Sequence, residues 1–179
     1  MKTRTVTEYL RNRHLNLNLH KPMVDEVERT ATFYMWTFSG QLGGYHQHRP
    51  DAPKRPQKLG PKLARYFTYR KLPVLTVWGL ETFHLFDGPL FVCEGVFDAA
   101  RLTNRGRAAV AVCCNDPPKD FRNWLTMLSR PTVAVCDDDA AGRKLAKFTD
   151  FSETAPDGKD LGDASEEYVN FLLERYPSN

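Results

Sequence analysis

Residues 132–143 have the sequence TVAVCDDDAAGR, and residues 90–94 have the sequence LFVCE, so two short apolar runs each end in an acidic residue. A third apolar run covers residues 108–114. Runs of this length, bounded by segments with helical spacing, predict buried parallel strands that alternate with helices. Because ligands of such sheets bind at the carboxyl ends of the strands, the two acidic positions mark the edge where a functional site is expected.

The remaining segments have a helical pattern downstream and a strand-rich pattern upstream. Downstream, helices are predicted for residues 97–104, a segment through Phe121 and Leu128, residues 140–148 and residues 165–176. Upstream, a short helix is predicted for residues 6–11, strands for residues 31–38 and 42–48, and a further short strand for residues 64–69. Residues 49–62 contain four prolines and predict a loop.

These patterns predict an α/β fold with two parts. Residues 89–179 are expected to form a parallel sheet with helices on both faces. Residues 1–88 are expected to form a small, mixed, strand-rich lobe. A chain of 179 residues is long enough for one ordinary domain with a small accessory lobe.

Charge is distributed unevenly, although the formal net charge is only +3. Residues 52–80 contain seven Lys or Arg residues and no carboxylate, with aromatic residues Tyr66, Phe67 and Tyr69 among them. Carboxylates are concentrated in the C-terminal half instead. Because stacking combined with phosphate contact is how single strands are held, the basic segment is interpreted as a nucleic-acid contact. The alternative is an ordinary solvated loop.

The chain contains four cysteines, and none of them forms a C-x-x-C pair. They are expected to be small buried residues of a reducing compartment, and neither zinc ligands nor disulfides. The N-terminus has no apolar signal-peptide segment, and no apolar run is long enough to span a bilayer. We therefore expect a cytoplasmic protein without a membrane partner.

The acidic residues after the strands have the chemistry of a divalent-metal site. Glu94 follows the first strand, and Asp137 and Asp139 follow the third, two residues apart and on one face of an extended backbone. Asp98 lies one turn into the next helix, and Asp160 lies in a Gly-containing acidic segment over residues 156–163. Carboxylate oxygens suit Mg²⁺ or Mn²⁺, which would relieve the repulsion between converging carboxylates.

Two motifs, in this order, resemble those of the Toprim domain. The first is a strand followed by Glu94-Gly95-x-x-Asp98, and the second is a strand followed by Asp137-x-Asp139-x-x-Gly142-Arg143. That domain is shared by bacterial and phage primases, type IA and II topoisomerases and some nucleases. The resemblance covers residues 89–175. Residues 136–143 resemble the primase form of the second motif, and residues 156–160 resemble the primase third motif.

The upstream segment is similar to the small basic subdomain that precedes Toprim in replicative primases. The similarity is carried by residues 38–49 with Gly43-Gly44, by Arg65-Tyr66 and by residues 78–81. In the family this region holds template and nucleotide phosphates. Arg65 stands where the family usually has Lys. The chain has no ligand set for the family's zinc module, so no zinc is expected. The family's helicase domain and C-terminal helical subdomain are not expected either.

The resemblance implies a phage-type DNA primase that makes short RNA primers from NTPs on single-stranded DNA. Glu94, Asp137 and Asp139 would be catalytic, and the implied metal ligands are Glu94, Asp98, Asp137, Asp139 and Asp160. The implied nucleic-acid and nucleotide contacts are Arg49, Lys58, Lys62, Arg65, Tyr66, Arg70 and Arg143. The implied partners are single-stranded DNA, NTPs and a separate replicative helicase or single-strand binding protein.

Two other functions remain open at this point, as do simpler roles for single residues. The chain could be a small Toprim nuclease that cleaves RNA or DNA, or a non-catalytic replication accessory or host-targeting protein. Asp139 could cap the helix that follows, and Asp98 could be an exposed helix charge. Asp138 is expected to point into solvent. His46 and His48 alternate along a strand and are expected to be exposed, with metal binding as the alternative.

Overall fold

A computed structural model describes residues 4–54, 60–71, 76–114 and 116–178, and describes only the backbone of Pro61, Ala141 and Asp157. Lys58, one of the predicted nucleic-acid contacts, lies outside these residues. The elements of the first half are α1 (Val6–Asn12), α2 (Leu17–His20), β1 (Met23–Asp25), β2 (Thr30–Trp36), β3 (Leu42–His48), β4 (Tyr66–Arg70) and α3 (Thr82–Leu85). The elements of the second half are β5 (Leu90–Cys93), α4 (Val96–Thr103), β6 (Ala109–Ala111), α5 (Lys119–Thr126), β7 (Thr132–Cys136), α6 (Ala140–Leu145), β8 (Phe151–Thr154) and α7 (Glu166–Arg175).

Helix α1 begins at a capping box and is fixed to the turn after β1. The Thr5 side chain accepts a hydrogen bond from the Glu8 amide, and the Glu8 carboxylate accepts one from the Thr5 amide. The Glu26 carboxylate accepts from the amides of Val6 and Thr7, a favourable position for a negative charge at a helix N-terminus. Val6 and Leu10 are fully buried, so this short helix forms part of the core.

Strands β1 to β4 form an antiparallel sheet in sequence order, with one face on the core. Phe33 and Met35 of β2 lie on that inner face with His46 and His48 of β3, which pair with β2 across the sheet. His46 is 6% exposed and His48 is 0% exposed, so the prediction of two exposed histidines is wrong. His46 and His48 do lie on one face of the strand, as the alternation predicts, but that face is the core-facing one and not the solvent-facing one.

Strands β5 to β8 form a parallel sheet in the order β6-β5-β7-β8. The side chains of β5 alternate between two core clusters, with Phe91 and Cys93 in one and Leu90 and Val92 in the other. Helices α4 and α7 contribute to the first cluster, and α5 and α6 contribute to the second. The predicted parallel sheet with helices on both faces, preceded by a strand-rich lobe, is confirmed.

The two sheets share one core. Val6, Phe33 and Trp78 from the first half belong to the same buried cluster as Phe97 and Val169 from the second. Trp78 also forms an antiparallel bridge to Ala111 of β6. The division at residues 88 and 89 therefore separates two sheets in the sequence, and its status as a domain boundary stays a prediction.

Several element boundaries differ from the predicted ones, and one strand was missed. Strand β6 covers only Ala109–Ala111, since Cys113 adopts a left-handed backbone with φ of 50°. The helix predicted for residues 140–148 becomes a 3₁₀ turn at residue 146, and α5 ends at Thr126. Strand β8 was missed because its side chains are mostly exposed at a sheet edge. Within the described residues, no helix has both the length and the apolar character needed to cross a bilayer.

Candidate metal centre and nucleic-acid cleft

The acidic residues Glu94 and Asp137 lie side by side at the carboxyl edge of the parallel sheet. Strand β5 leads to β6 on one side, and β7 lies on its other side, so the strand order reverses between β5 and β7. Open α/β sheets bind their ligands at such a reversal point. Glu94 follows β5, Asp137 follows β7, and Glu94 Oε1 accepts a hydrogen bond from the Asp137 amide at 3.3 Å.

Gly142 allows the first turn of α6 to lie directly against these two acidic residues. A Cβ atom at this position would overlap the carbonyl oxygen of Asp137 and would lie 3.1 Å from Glu94 Oε1. The amide of Gly142 donates to Asp139 Oδ1 at 2.9 Å, so Asp139 does cap the helix. The close approach of α6 therefore depends on the absence of a side chain at residue 142.

A cleft of about 340 Å³ opens at this edge, between the parallel sheet and the inner face of the antiparallel one. Four carboxylates line it, together with cationic and aromatic groups. The carboxylates belong to Glu94, Asp98, Asp137 and Asp160. The other lining groups used below are Arg13, His46, Lys54, Tyr66 and Thr68.

The carboxylates of the cleft repel one another. Burial raises the pKa of Glu94 to about 7, and the charges of Asp137 and Asp139 add to the increase. Burial, followed by the charge of Asp160, raises the pKa of Asp98 to about 7. The pKa of Asp137 is also raised, first by burial and then by Asp160 and Asp139. A bound cation would remove this repulsion.

The donor set fits a magnesium ion that keeps part of its water shell. In the part of the chain described, no three His, Cys, Asp or Glu side chains lie close enough to form a complete ligand set. Mg²⁺ does not require one, because it is usually bound through one or two carboxylates, waters and substrate phosphates. Glu94 and Asp137 provide such a pair of carboxylates at the ends of two neighbouring strands.

Asp98 and Asp138 occupy very different environments. Both oxygens of the Asp98 carboxylate accept backbone hydrogen bonds, Oδ2 from Gly95 at 3.0 Å and Oδ1 from Gly162 at 2.8 Å. Asp98 is buried, so it is not the exposed helix charge of the alternative interpretation, and it ties the third acidic segment to α4. The Asp138 side chain is 74% exposed and lies 3.5 Å from Arg143, as expected for a residue pointing into solvent.

Arg13, at the end of α1, is a site residue that the sequence did not reveal. Its guanidinium lies 3.5 Å from Asp160 Oδ1, 3.3 Å from Asp163 Oδ2 and 4.7 Å from the centre of the Phe97 ring. Asp160 also accepts a hydrogen bond from the Asp163 amide. Arg13 therefore fixes the third acidic segment against α4, from a position far away in the sequence.

Three of the predicted nucleic-acid contacts lie in exposed or cleft-lining positions. Tyr66 lines the cleft, and its ring stacks on that of His46 with centres 5.8 Å apart. Lys62 is exposed in a 3₁₀ turn before β4. Lys54, which was not singled out from the sequence, also lines the cleft.

Two of the predicted arginine contacts, Arg65 and Arg70, donate side-chain hydrogen bonds to the protein's own backbone. Arg65 Nε donates to the Ala52 carbonyl oxygen at 2.8 Å, and Arg65 also pairs through its backbone with Arg49. Arg70 Nε donates to Thr76 O at 3.2 Å, and its Nη2 donates to the carbonyl oxygen of Val112. Arg143 is exposed beside Asp138. Contact of these residues with nucleic acid stays a prediction.

The raised carboxylate pKa values predict an unusual dependence of stability on pH. Asp98 titrates at 3.8 in an unfolded chain and at about 7 in the folded protein, and Glu94 shifts from 4.5 to about 7. Between pH 4 and pH 7 these two groups therefore bind more protons in the folded protein than in the unfolded chain, so their contribution to the free energy of unfolding falls as pH rises through this window. Burial lowers the pKa of His20 and His46 to about 4 and that of His48 to about 3, so these histidines act in the opposite direction. The carboxylate effect should therefore be measured as a difference in EDTA: the Tm of Glu94→Gln relative to the wild type should be higher at pH 8 than at pH 5.

Addition of Mg²⁺ or Mn²⁺ should reverse this loss at pH 8. A metal concentration about 100-fold above Kd should raise the Tm by roughly 5–10 °C, because binding stabilises only the folded chain. At pH 5 the increase should be smaller, because protonated carboxyl groups compete with the metal. Equal metal-induced increases at both pH values would contradict the assignment.

Comparisons with known proteins relate this chain to primase structures. No protein-family model matches the sequence, and no curated protein matches it significantly. The structure of the DnaG catalytic core is similar with a TM-score of 0.64 and 16% identity, over 96% of this chain and 73% of that one. The zinc-binding and RNA polymerase domains of Aquifex aeolicus primase give a TM-score of 0.62 and 16% identity, over 99% and 57%.

A DnaG primase catalytic domain bound to single-stranded DNA gives a TM-score of 0.60 and 15% identity, over 94% of this chain and 60% of that one. This chain therefore spans less than two thirds of two of these three relatives. At such identities the likeness establishes the fold alone. The chain has a mixed α/β fold that resembles the catalytic cores of DNA primases.

Proposed function

We propose that this chain is a Toprim enzyme of the primase type, which joins NTPs into short RNA primers on single-stranded DNA. The supporting observation is the pair formed by Glu94 and Asp137 at neighbouring strand ends, where the strand order reverses. The Asp137 amide nitrogen donates a hydrogen bond to Glu94 Oε1 at 3.3 Å. The pair lies in a chain whose fold resembles primase catalytic cores. A metal bound there would stabilise the negative charge that develops during phosphoryl transfer.

The carboxylates would have different tasks. Glu94 and Asp137 line the cleft and would hold Mg²⁺, or Mn²⁺ in its place, with Asp139 at the start of α6 beside them. Asp160, which also lines the cleft, would complete the site from the third acidic segment. Asp98 would act mainly by positioning that segment, since both its oxygens already accept backbone hydrogen bonds.

Template and nucleotide would enter from the side of the basic lobe. Lys54 and Tyr66 line the cleft opposite the carboxylates and would contact phosphate and base, respectively. Arg49, Lys62, Arg65 and Arg143 would contribute positive charge around the entrance. Arg70 would contribute less, because two of its donors are committed to backbone carbonyl groups. The proposed partners are single-stranded DNA, NTPs and a separate helicase or single-strand binding protein.

Incubation of the purified chain with single-stranded DNA, labelled NTPs and Mg²⁺ or Mn²⁺ tests this function. We expect short RNA products that depend on template, metal and NTPs. RNA or DNA degradation without NTPs would identify a Toprim nuclease instead. The absence of synthesis and cleavage, together with the absence of metal binding by calorimetry, would support a non-catalytic protein. Products in EDTA would contradict a metal mechanism.

A further inference from the structure

The outer face of the antiparallel sheet carries a continuous group of aromatic side chains. The pairing register places Tyr34, Tyr45 and Tyr69 in one row across β2, β3 and β4. Trp36 lies two residues beyond Tyr34, and Phe67 lies two residues before Tyr69, so both occupy the same face. These five residues are called the outer aromatic face below.

The composition of this face is unusual for an antiparallel sheet. A sheet with one face on the core usually presents polar side chains on the other. Here Trp36 is 40% exposed and Tyr69 is 46% exposed. The rings are close enough to form one surface, with 5.5 Å between the centres of Tyr45 and Tyr69 and 6.3 Å between those of Tyr34 and Trp36. An exposed aromatic surface of this kind marks an interaction site.

The charges near this face favour a polyanion. Lys71 directly follows β4, is exposed, and pairs through its amide with Gly43 of β3. The segment between residues 52 and 80, which includes β4, contains no Asp or Glu. By its register Asp25 of β1 lies on the outer face, but its Oδ1 already accepts hydrogen bonds from the amides of Val27 and Glu28.

The polar groups among the rings also argue against a purely apolar partner. Gln47 lies between Thr32 and Phe67 in the next row of the same face, and its amide donates to Thr32 Oγ1 at 3.2 Å. Tyrosine rings, an amide and a nearby lysine offer stacking, hydrogen bonding and phosphate contact on one surface. This combination matches unpaired bases on a charged backbone.

We propose that the outer aromatic face binds single-stranded nucleic acid at a site separate from the metal cleft. Unpaired bases stack on the rings of Trp36, Tyr45 and Tyr69, and Lys71 contacts phosphate. Paired bases are excluded, because their faces are already stacked within the duplex. The inference goes beyond the proposed primase activity and does not depend on it, because none of these residues lines the cleft.

The outer aromatic face and the metal cleft lie on opposite sides of strand β4, which is an edge strand of the sheet. Tyr66 and Thr68 of β4 line the cleft, whereas Phe67 and Tyr69 alternate with them and face the opposite side. A single strand held on the outer face can therefore pass around this edge into the cleft. The outer face would then hold one segment of a strand whose neighbouring segment lies in the cleft.

The test is the affinity of the full chain for a fluorescein-labelled oligothymidylate, measured by anisotropy in EDTA so that metal-dependent binding in the cleft is removed. The double variant Tyr45→Thr/Tyr69→Thr keeps residues that favour strands at solvent-facing positions. We expect Kd to rise about tenfold or more, because each stacked base contributes substantially to single-strand affinity. The matched control is Phe171→Ala, which removes an exposed ring from α7 and should leave Kd unchanged.

Tryptophan fluorescence provides an independent readout. Of the three tryptophans, Trp36 is exposed, Trp78 is buried and Trp124 is partly buried against the second core cluster. Oligonucleotide binding should therefore quench wild-type fluorescence, and Trp36→Phe should lose most of this quenching. An unchanged Kd in a double variant with wild-type circular dichroism would overturn the proposal. A wild-type dimer that becomes monomeric in the double variant, with Kd unchanged, would overturn it as well and assign the face to a second copy of the chain.

Discussion

Glu94→Gln is expected to reduce metal-dependent RNA synthesis by about a thousandfold while leaving the fold intact. Glutamine keeps the shape of glutamate and its ability to accept the hydrogen bond from the Asp137 amide. It removes the negative charge that a divalent ion requires, and metal catalysis is worth several kcal/mol, with about 1.4 kcal/mol for each tenfold in rate. The rate should be measured as labelled NTP incorporated per minute at saturating Mg²⁺.

The stability of the same variant provides a second measurement. In EDTA at pH 8, Glu94→Gln should melt at or above the wild-type temperature, because it removes one of the mutually repelling carboxylates. Added Mg²⁺ should then raise the Tm much less than in the wild type. Glu174→Gln makes the same chemical change at an exposed position on α7 and should behave like the wild type. Full activity of Glu94→Gln would show that Glu94 is not a metal ligand.

Gly142→Ala is expected to reduce activity by about a hundredfold and to lower the free energy of unfolding by about 1–3 kcal/mol. The new methyl group would overlap the carbonyl oxygen of Asp137 and approach Glu94 Oε1. The first turn of α6 must therefore move away from the end of β7. A displacement of about 1 Å in a catalytic group can lower the reaction rate by 10²-fold. Activity should therefore fall strongly even though most of the chain remains folded.

The matched control for this variant is Gly60→Ala. Among the residues that the structure describes, no atom would lie within 4 Å of a Cβ at Gly60, and its backbone does not require a left-handed conformation. Its activity and urea midpoint should therefore be close to those of the wild type. Wild-type affinity for Mg²⁺ in Gly142→Ala would mean that the close approach of α6 is not required for the acidic pair.

The parallel sheet and the acidic pair could be predicted from the sequence because their signals are local. Strands β5 and β7 match the predicted boundaries, since each is a fully buried apolar run. Glu94 and Asp137 follow these runs directly, and parallel strands bring their carboxyl ends to one edge. The position of Glu94 and Asp137 at one edge of the sheet therefore follows from the two quoted segments, whereas the pairing of β5 with β7 is known only from the structure.

Other features depend on contacts between distant segments and could not be predicted. Arg13 reaches Asp160 and Asp163 only because α1 packs into the core shared by both sheets. The backbone partners of Asp98 likewise come from two segments, at Gly95 and Gly162. The mostly exposed side chains of β8 gave no strand signal, since hydrophobic alternation reports only strands with a buried face.

The shared core has a consequence for the evolution of this chain. Val6 and Phe33 pack with Phe97 and Val169, so the strand-rich half and the half with the acidic edge complete each other's interior. Exchange of either half with that of a distant relative would bring together surfaces that have not adapted to each other. Substitutions at these positions are therefore expected to have been inherited as matched sets, so that recombination between lineages is tolerated only when the whole interior is transferred together.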